Sequence, residues 1–177
     1  MSQNIGRMIS NAGQISVFYA EAMLKDLTPD RFARLAVGSD GNRVQSNHPA
    51  WVYGHLALYS SRCMDVLGLP QGVTARPAGW EDLFKNGAPC IDDPDGGIYP
   101  PMEAIASHCL NGYKAVLAAL PEVSDEVFSR PNPGEGRMKE LLPTVGGLVT
   151  FLTTGHPMSH LGQVSAWRRF MGLGSAM

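Results

Sequence analysis

His156 and His160 stand four residues apart. On a helix that spacing puts both imidazoles on one face, one turn apart, where they can hold a single metal ion from the same side. Taken alone the pair is a weak signal, because two histidines at this spacing arise in many helices that bind nothing. It is not the metalloprotease signature, which needs a general-base glutamate directly after the first histidine; Pro157 stands there instead. A third ligand has to come from elsewhere. His55 lies on an apolar helical stripe between Val52 and Tyr59, and the interior of a helical bundle is where such a ligand sits. The other reading of a single inward histidine is a hydrogen-bonded core or boundary residue. His48 is about 10 Å further back along the same helix axis and reads as an N-terminal or rim residue. His108 is a candidate fourth ligand, although its place beside the inner stripe of its own helix favours a surface or boundary role.

Pro157 also bears on the element that carries the pair. In a helix interior a proline removes a hydrogen bond and clashes with the preceding turn, at about 3 kcal/mol, and Gly155 adds roughly 1 kcal/mol relative to alanine. Gly155-His156-Pro157 therefore predicts either a kink or a break near Thr154, with a new helix opening at Pro157 as its first residue. Such local irregularities tend to mark functional sites.

Four long helices are expected to position these residues. The first runs roughly from Asn11 to Leu27 on the period of Ile15, Phe18, Ala22 and Met23. Thr28-Pro29-Asp30 then opens a short helix through Arg34 or Leu35. The second long helix starts at Asn47 or His48 and carries Trp51, Val52, His55, Leu56, Tyr59 and Cys63 to a stop at Gly68-Leu69-Pro70. The third opens at Pro100-Pro101, with Ile105, Cys109, Tyr113 and Val116 on its inner face, and ends at Pro121. The last begins near Thr144 and keeps a helical period to Met171. Strand signals are weak throughout, so the fold class read here is all-α, a four-helix bundle in one domain spanning 1–177. Residues 71–100, rich in Gly and Pro, form a long loop insertion between the second and third long helices, and only Trp80 to Phe84 has the makings of a helical turn. With Trp80, Phe84 and Tyr99 it reads either as a lid over an open metal position or as a surface insertion pinned by those aromatics. Residues 123–136 read as loop.

The chain has 177 residues, 44% of them hydrophobic and only 17% charged, which fits one domain with a continuous core and excludes a disordered chain. A net charge of −2 lacks the basic footprint of a nucleic-acid or anionic-membrane binder. No apolar run approaches the roughly 20 residues of a membrane span. Met1 to Met8 lack the pattern of a secretory signal, and the odd cysteine count (Cys63, Cys90 and Cys109, without C-x-x-C spacing) points to a reducing compartment; a cytoplasmic protein is expected. There is no phosphate-binding glycine loop, no nucleophile elbow and no DNA-reading motif.

Two stretches resemble a known superfamily. Trp51-Val52-Tyr53-Gly54-His55-Leu56 is similar to the W-x-x-x-H-L segment of DinB/YfiT-like proteins, and His156 to Gln163 is similar to their H-x-x-x-H-x-G-Q. Thr144-Val145-Gly146-Gly147-Leu148 resembles the start of their last helix, and helix order fits along nearly the whole chain apart from residues 71–100. The resemblance implies a four-helix bundle, commonly a homodimer, with His55, His156 and His160 holding a divalent metal. It also implies metal-dependent chemistry of the kind some members carry out, the transfer of low-molecular-weight thiols such as bacillithiol or mycothiol or the isomerisation of maleylpyruvate with a thiol cofactor, while many members have no known activity.

Three histidines leave a metal position open to water, a thiol or a small-molecule substrate, and nitrogen donors suit Zn, Ni or Fe. Gln163, one turn after His160, is either an orienting partner of that histidine or a helix-packing amide; Tyr59, one turn after His55, brings a hydroxyl near the metal or serves as a core aromatic. Arg168 and Arg169 either hold an anionic cofactor or complement the negative end of the last helix. Cys63 and Cys109 read as small buried apolar residues. The first functional expectation is a thiol S-transferase or hydrolase; the second is a non-enzymatic ligand-binding or structural bundle dimer that keeps the metal site.

Overall fold

The computed structural model describes residues 4–177, which form helices and connecting loops without a β-strand; Met1, Ser2 and Gln3, part of the stretch read for signal character, lie outside the described residues. The long elements are α1 (Ile5–Met23), α3 (Pro49–Leu67), α5 (Met102–Ala119) and the consecutive pair α8 (Val145–Thr153) and α9 (Gly155–Phe170). Between them lie α2 (Pro29–Phe32), α4 (Trp80–Phe84), α6 (Asp125–Ser129) and α7 (Gly136–Leu141). No helix among the described residues is long and apolar enough to cross a membrane.

Helix α1 begins earlier than its apolar period suggests, because the Asn4 side chain accepts from the Arg7 N–H and caps the first turn. Helix α2 matches its Thr28-Pro29 start, with Pro29 in the first turn. At α3 the cap is His48 rather than Asn47: its Nδ1 accepts from the Trp51 N–H at 3.2 Å and Pro49 takes the first helical position. Gly68, with φ of 74°, provides the left-handed residue that stops it. Helix α3 is buried almost all round and packs on α4, α5, α8 and α9, which makes it the central element. It approaches α5 closely at Gly112, where a Cβ would lie 2.4 Å from Ser60 Oγ.

Residues 123–136 are not all loop. Ser124 caps α6 by accepting from the Glu126 N–H, and Asp125 and Glu126 occupy the positive first turn. Residues 71–100 are fastened to the core. Trp80, Phe84 and Tyr99 are buried, and the Asp92 carboxylate accepts from the Leu35 N–H at 2.8 Å while pairing with Arg34 at 3.0 Å and Arg43 at 2.9 Å.

The last helix is broken, not kinked. Thr154, at φ −127° and ψ −80°, separates α8 from α9, and the Thr153 and Thr154 hydroxyls turn back onto the carbonyls of Val149 and Thr150. Pro157 is the third residue of α9 rather than its first. It loses nothing there, since the first-turn N–H groups have no helical partner and Met158 donates to Thr154 C=O at 3.0 Å just beyond it. At the other end of α9, Trp167 Nε1 donates to Arg34 C=O at 2.7 Å. Arg168 does not serve its own helix end. It is buried and donates to the carbonyls of Met23 and Lys25, at the C-terminal end of α1. Arg169 lies in the last turn of α9 and donates back to Ser165 C=O at 2.9 Å and Ser165 Oγ at 2.7 Å.

Candidate metal centre

Helix α3 and the first two turns of α9 bring His55, His156 and His160 together. One ring nitrogen of each lies within 4.8 Å of the others, so the group can bind a metal ion. Ring centroids are 4.6 Å apart for His55 and His160, 4.7 Å for His156 and His160, and 5.3 Å for His55 and His156. Tetrahedral nitrogen ligands on a zinc-sized ion stand roughly 3.4 Å apart, a separation within reach of modest ring rotations. The break at Thr154 sets the direction from which α9 delivers its two histidines.

His55 is buried and held from two sides. Its ring stacks on Trp51 at 4.7 Å and 12°. Its Nδ1 bonds the Phe84 carbonyl oxygen at 2.7 Å, which fixes Nδ1 as the donor and leaves Nε2 with its lone pair. A backbone carbonyl in this position is the outer partner that metal-ligating histidines usually have. Gly54 makes the contact feasible: a Cβ there would lie 2.4 Å from the Phe84 ring. His156 and His160 are half-buried, and the Nδ1 atom of each is buried without a hydrogen-bond partner. Two orphaned imidazole nitrogens side by side are costly without a ligand, and a cation shared with His55 is a chemistry that fits them.

All three histidines are held neutral, the form that ligates. Burial, reinforced by the neighbouring His160 and opposed by the Phe84 carbonyl, pulls His55 down to about 4. Burial and then the two other imidazoles take His156 to about 3. Burial also lowers His160, with the nearby Gln163 carboxamide opposing it.

A cavity of about 320 Å³ opens on the triad. Leu148, Phe151, Leu152 and Met138 give it an apolar wall, and Tyr59, Arg62 and Asn86 line another side. The Tyr59 ring lies 4.2 Å from that of His156 and lines the cavity; burial raises the pKa of its hydroxyl, with Arg62 opposing, and it stays protonated at neutral pH. Gln163 serves two neighbours: its carboxamide acts on His160, and its oxygen accepts from Asn47 at 3.0 Å, which ties the start of α3 to α9. His48 is not at a rim: it is fully buried, bonding Ile91 C=O through Nε2 at 2.9 Å, and stands outside the cluster. His108, half-buried against Trp80 with ring centroids 5.1 Å apart, is likewise outside it.

No cysteine belongs to the triad cluster. Burial pushes the Cys63 thiol up to about 12, Cys90 to about 11, and Cys109 higher still. The chain therefore has no thiolate of its own to offer as a nucleophile.

The Phe84 carbonyl, Arg62 and Asn86 are the site features that sequence reasoning does not single out. Arg62 had an available signal, since it stands seven residues after His55 and three after Tyr59 on the same stripe. The Phe84 carbonyl had none, because backbone atoms carry no side-chain signature. The chain matches no protein-family model, no curated protein and no solved structure.

Proposed function

We propose that this chain is a metal-dependent enzyme of the DinB/YfiT type, a four-helix bundle in which His55, His156 and His160 hold one divalent ion, Zn, Ni or Fe, and which acts as a thiol S-transferase or hydrolase. The observation that carries the reading is the convergence of three neutral imidazoles, one oriented by the Phe84 carbonyl and two with orphaned nitrogens, on the floor of a cavity. A divalent ion bound there supplies acidification of a coordinated water or thiol. The chain's own residues supply the rest. The apolar wall of Leu148, Phe151 and Leu152 keeps bulk water from a bound substrate. The Tyr59 hydroxyl, protonated and carried on a ring that packs beside His156, donates a hydrogen bond to charge developing on a reacting atom. Because the cysteines are locked as thiols, the nucleophile arrives with the small-molecule thiol or as water.

A second reading has its own support. The triad cluster contains no carboxylate to act as general base, which suits a ligand-binding or structural protein that keeps the ion without turnover. Metal-loaded protein assayed against a panel of thiols and electrophiles separates the two: turnover abolished by His156→Ala supports the enzyme, and tight small-molecule binding with no turnover supports the alternative.

The same reading includes a homodimer. Ile5, Met8, Ile15 and Phe18 are exposed along one stripe of α1, an apolar face that a second copy of the chain would cover.

A further inference from the structure

Helix α3 aims more than a metal ligand into the cavity. His55, Tyr59 and Arg62 fall at successive positions of one helical stripe and all line it. Arg62 stands about 10 Å along the helix axis from His55, so it marks the far end of the space that begins at the triad. Arg62, Tyr59 and Asn86 also line a neighbouring groove of about 260 Å³, which contains the cations Arg76 and Lys85. Those two are already neutralised: Arg76 pairs with Glu81 at 3.2 Å and Asp65 at 3.6 Å, and Lys85 with Asp82 at 3.0 Å. Arg62 is different. It is exposed, and no ion pair or hydrogen bond engages its guanidinium among the described residues, although it sits at the junction of two cavities. Arg62 and the histidines share this cavity with the apolar wall of Leu148, Phe151 and Leu152 from α8.

We infer that Arg62 is the anion-recognition residue of this site, and that the ligand is an elongated, amphipathic carboxylate. Its metal-binding end lies at the triad, its apolar middle lies along α8, and its carboxylate is held by the Arg62 guanidinium with the Asn86 carboxamide beside it. A guanidinium fits a carboxylate with two parallel hydrogen bonds, which a neutral hydroxyl cannot reproduce. The inference deepens the proposed function and rests on it for the metal-binding end only.

Mercaptohexanoate and its neutral counterpart mercaptohexanol, titrated calorimetrically into Zn-loaded protein, test it. Wild type should bind the carboxylate about tenfold more tightly than the alcohol, and Arg62→Met should remove that preference while leaving mercaptohexanol affinity unchanged. Arg62→Lys should restore part of it. Hexanoate against hexanol, titrated into metal-free protein, reads Arg62 without the ion. A preference lost in Arg62→Met there sustains the carboxylate site even if the protein takes up no metal, so the two readings fail separately. Equal affinities within both pairs in wild type, or a preference that survives Arg62→Met in a variant with an unchanged circular dichroism spectrum, would overturn the inference.

Discussion

At the residue scale the site is built from neutrality and orientation. The i, i+4 spacing of His156 and His160 and the apolar stripe around His55 were legible in the sequence, because they are side-chain periodicities. The partner of His55 was not, because it is a carbonyl 29 residues away in a segment without regular period. The place of His48 at the start of α3 was legible, and its burial was not: a helix start also suggested a rim, whereas residues 89–99 close over it, with Tyr99 at a ring-centroid distance of 4.9 Å and Ile91 C=O as its acceptor. The low pKa values have a definite consequence. A histidine whose folded pKa lies below its unfolded value leaves the unfolded chain binding more protons as pH falls, so the stability it contributes is present above about 6.5 and lost on acidification. Metal-free protein should therefore lose thermal stability between pH about 6.5 and 5, above the range where the depressed Asp92 and Asp93 carboxylates are lost, and His156→Ala should flatten that slope. Protons compete with the ion as His55 approaches about 4 and His156 about 3, with His160 also below its usual value, so Zn affinity measured by competition should fall on acidification at a lower pH than three ordinary imidazoles would dictate.

At the element scale, packing decides what the histidines can do. The break at Thr154 was legible because Gly155 and Pro157 are poor residues for a helix interior. Its register was not, since proline is tolerated anywhere in a first turn and the sequence does not say which position it takes. Helix α6 was also overlooked: Ser124 and the acidic pair after it signal a start, but five residues before the Arg130-Pro131 stop produce no readable period. The pairing of α3 with α4 is the contact that matters most for the site, and Gly54 is its tightest point. Gly54→Ala would drive a methyl into the Phe84 ring, shift α4 and move the carbonyl that orients His55. The expected outcome is about 1–3 kcal/mol of lost stability in denaturant melts and a metal affinity about 10- to 100-fold weaker, although no ligand has been removed. An unchanged affinity would show that the Phe84 carbonyl does not position His55.

At the scale of the whole molecule, α3 forms the spine, with α5 on one flank and α8 and α9 supplying the other wall of the site. An all-α fold followed from the sequence because apolar residues recur at helical spacing in every long segment. The tie between α1 and α9 did not, since Arg168 had an ordinary reading as a charge at the end of its own helix and its real acceptors, Met23 C=O and Lys25 C=O, are set by tertiary packing. The exposed stripe of α1 gives a prediction at this scale: sedimentation at micromolar concentration should show a dimer, and Phe18→Lys should shift it to a 19.0 kDa species with unchanged helicity. The function of the site depends on three histidines drawn from two helices holding an ion. The direct measurement is metal content by elemental analysis after incubation with Zn, Ni or Fe and removal of excess. The prediction is one divalent ion per chain in wild type, lost in His55→Ala, His156→Ala and His160→Ala, and retained in His48→Ala, which should instead lose about 1 kcal/mol or more of stability with its helix cap. Folded wild-type protein that retains none of the three metals would contradict the central claim.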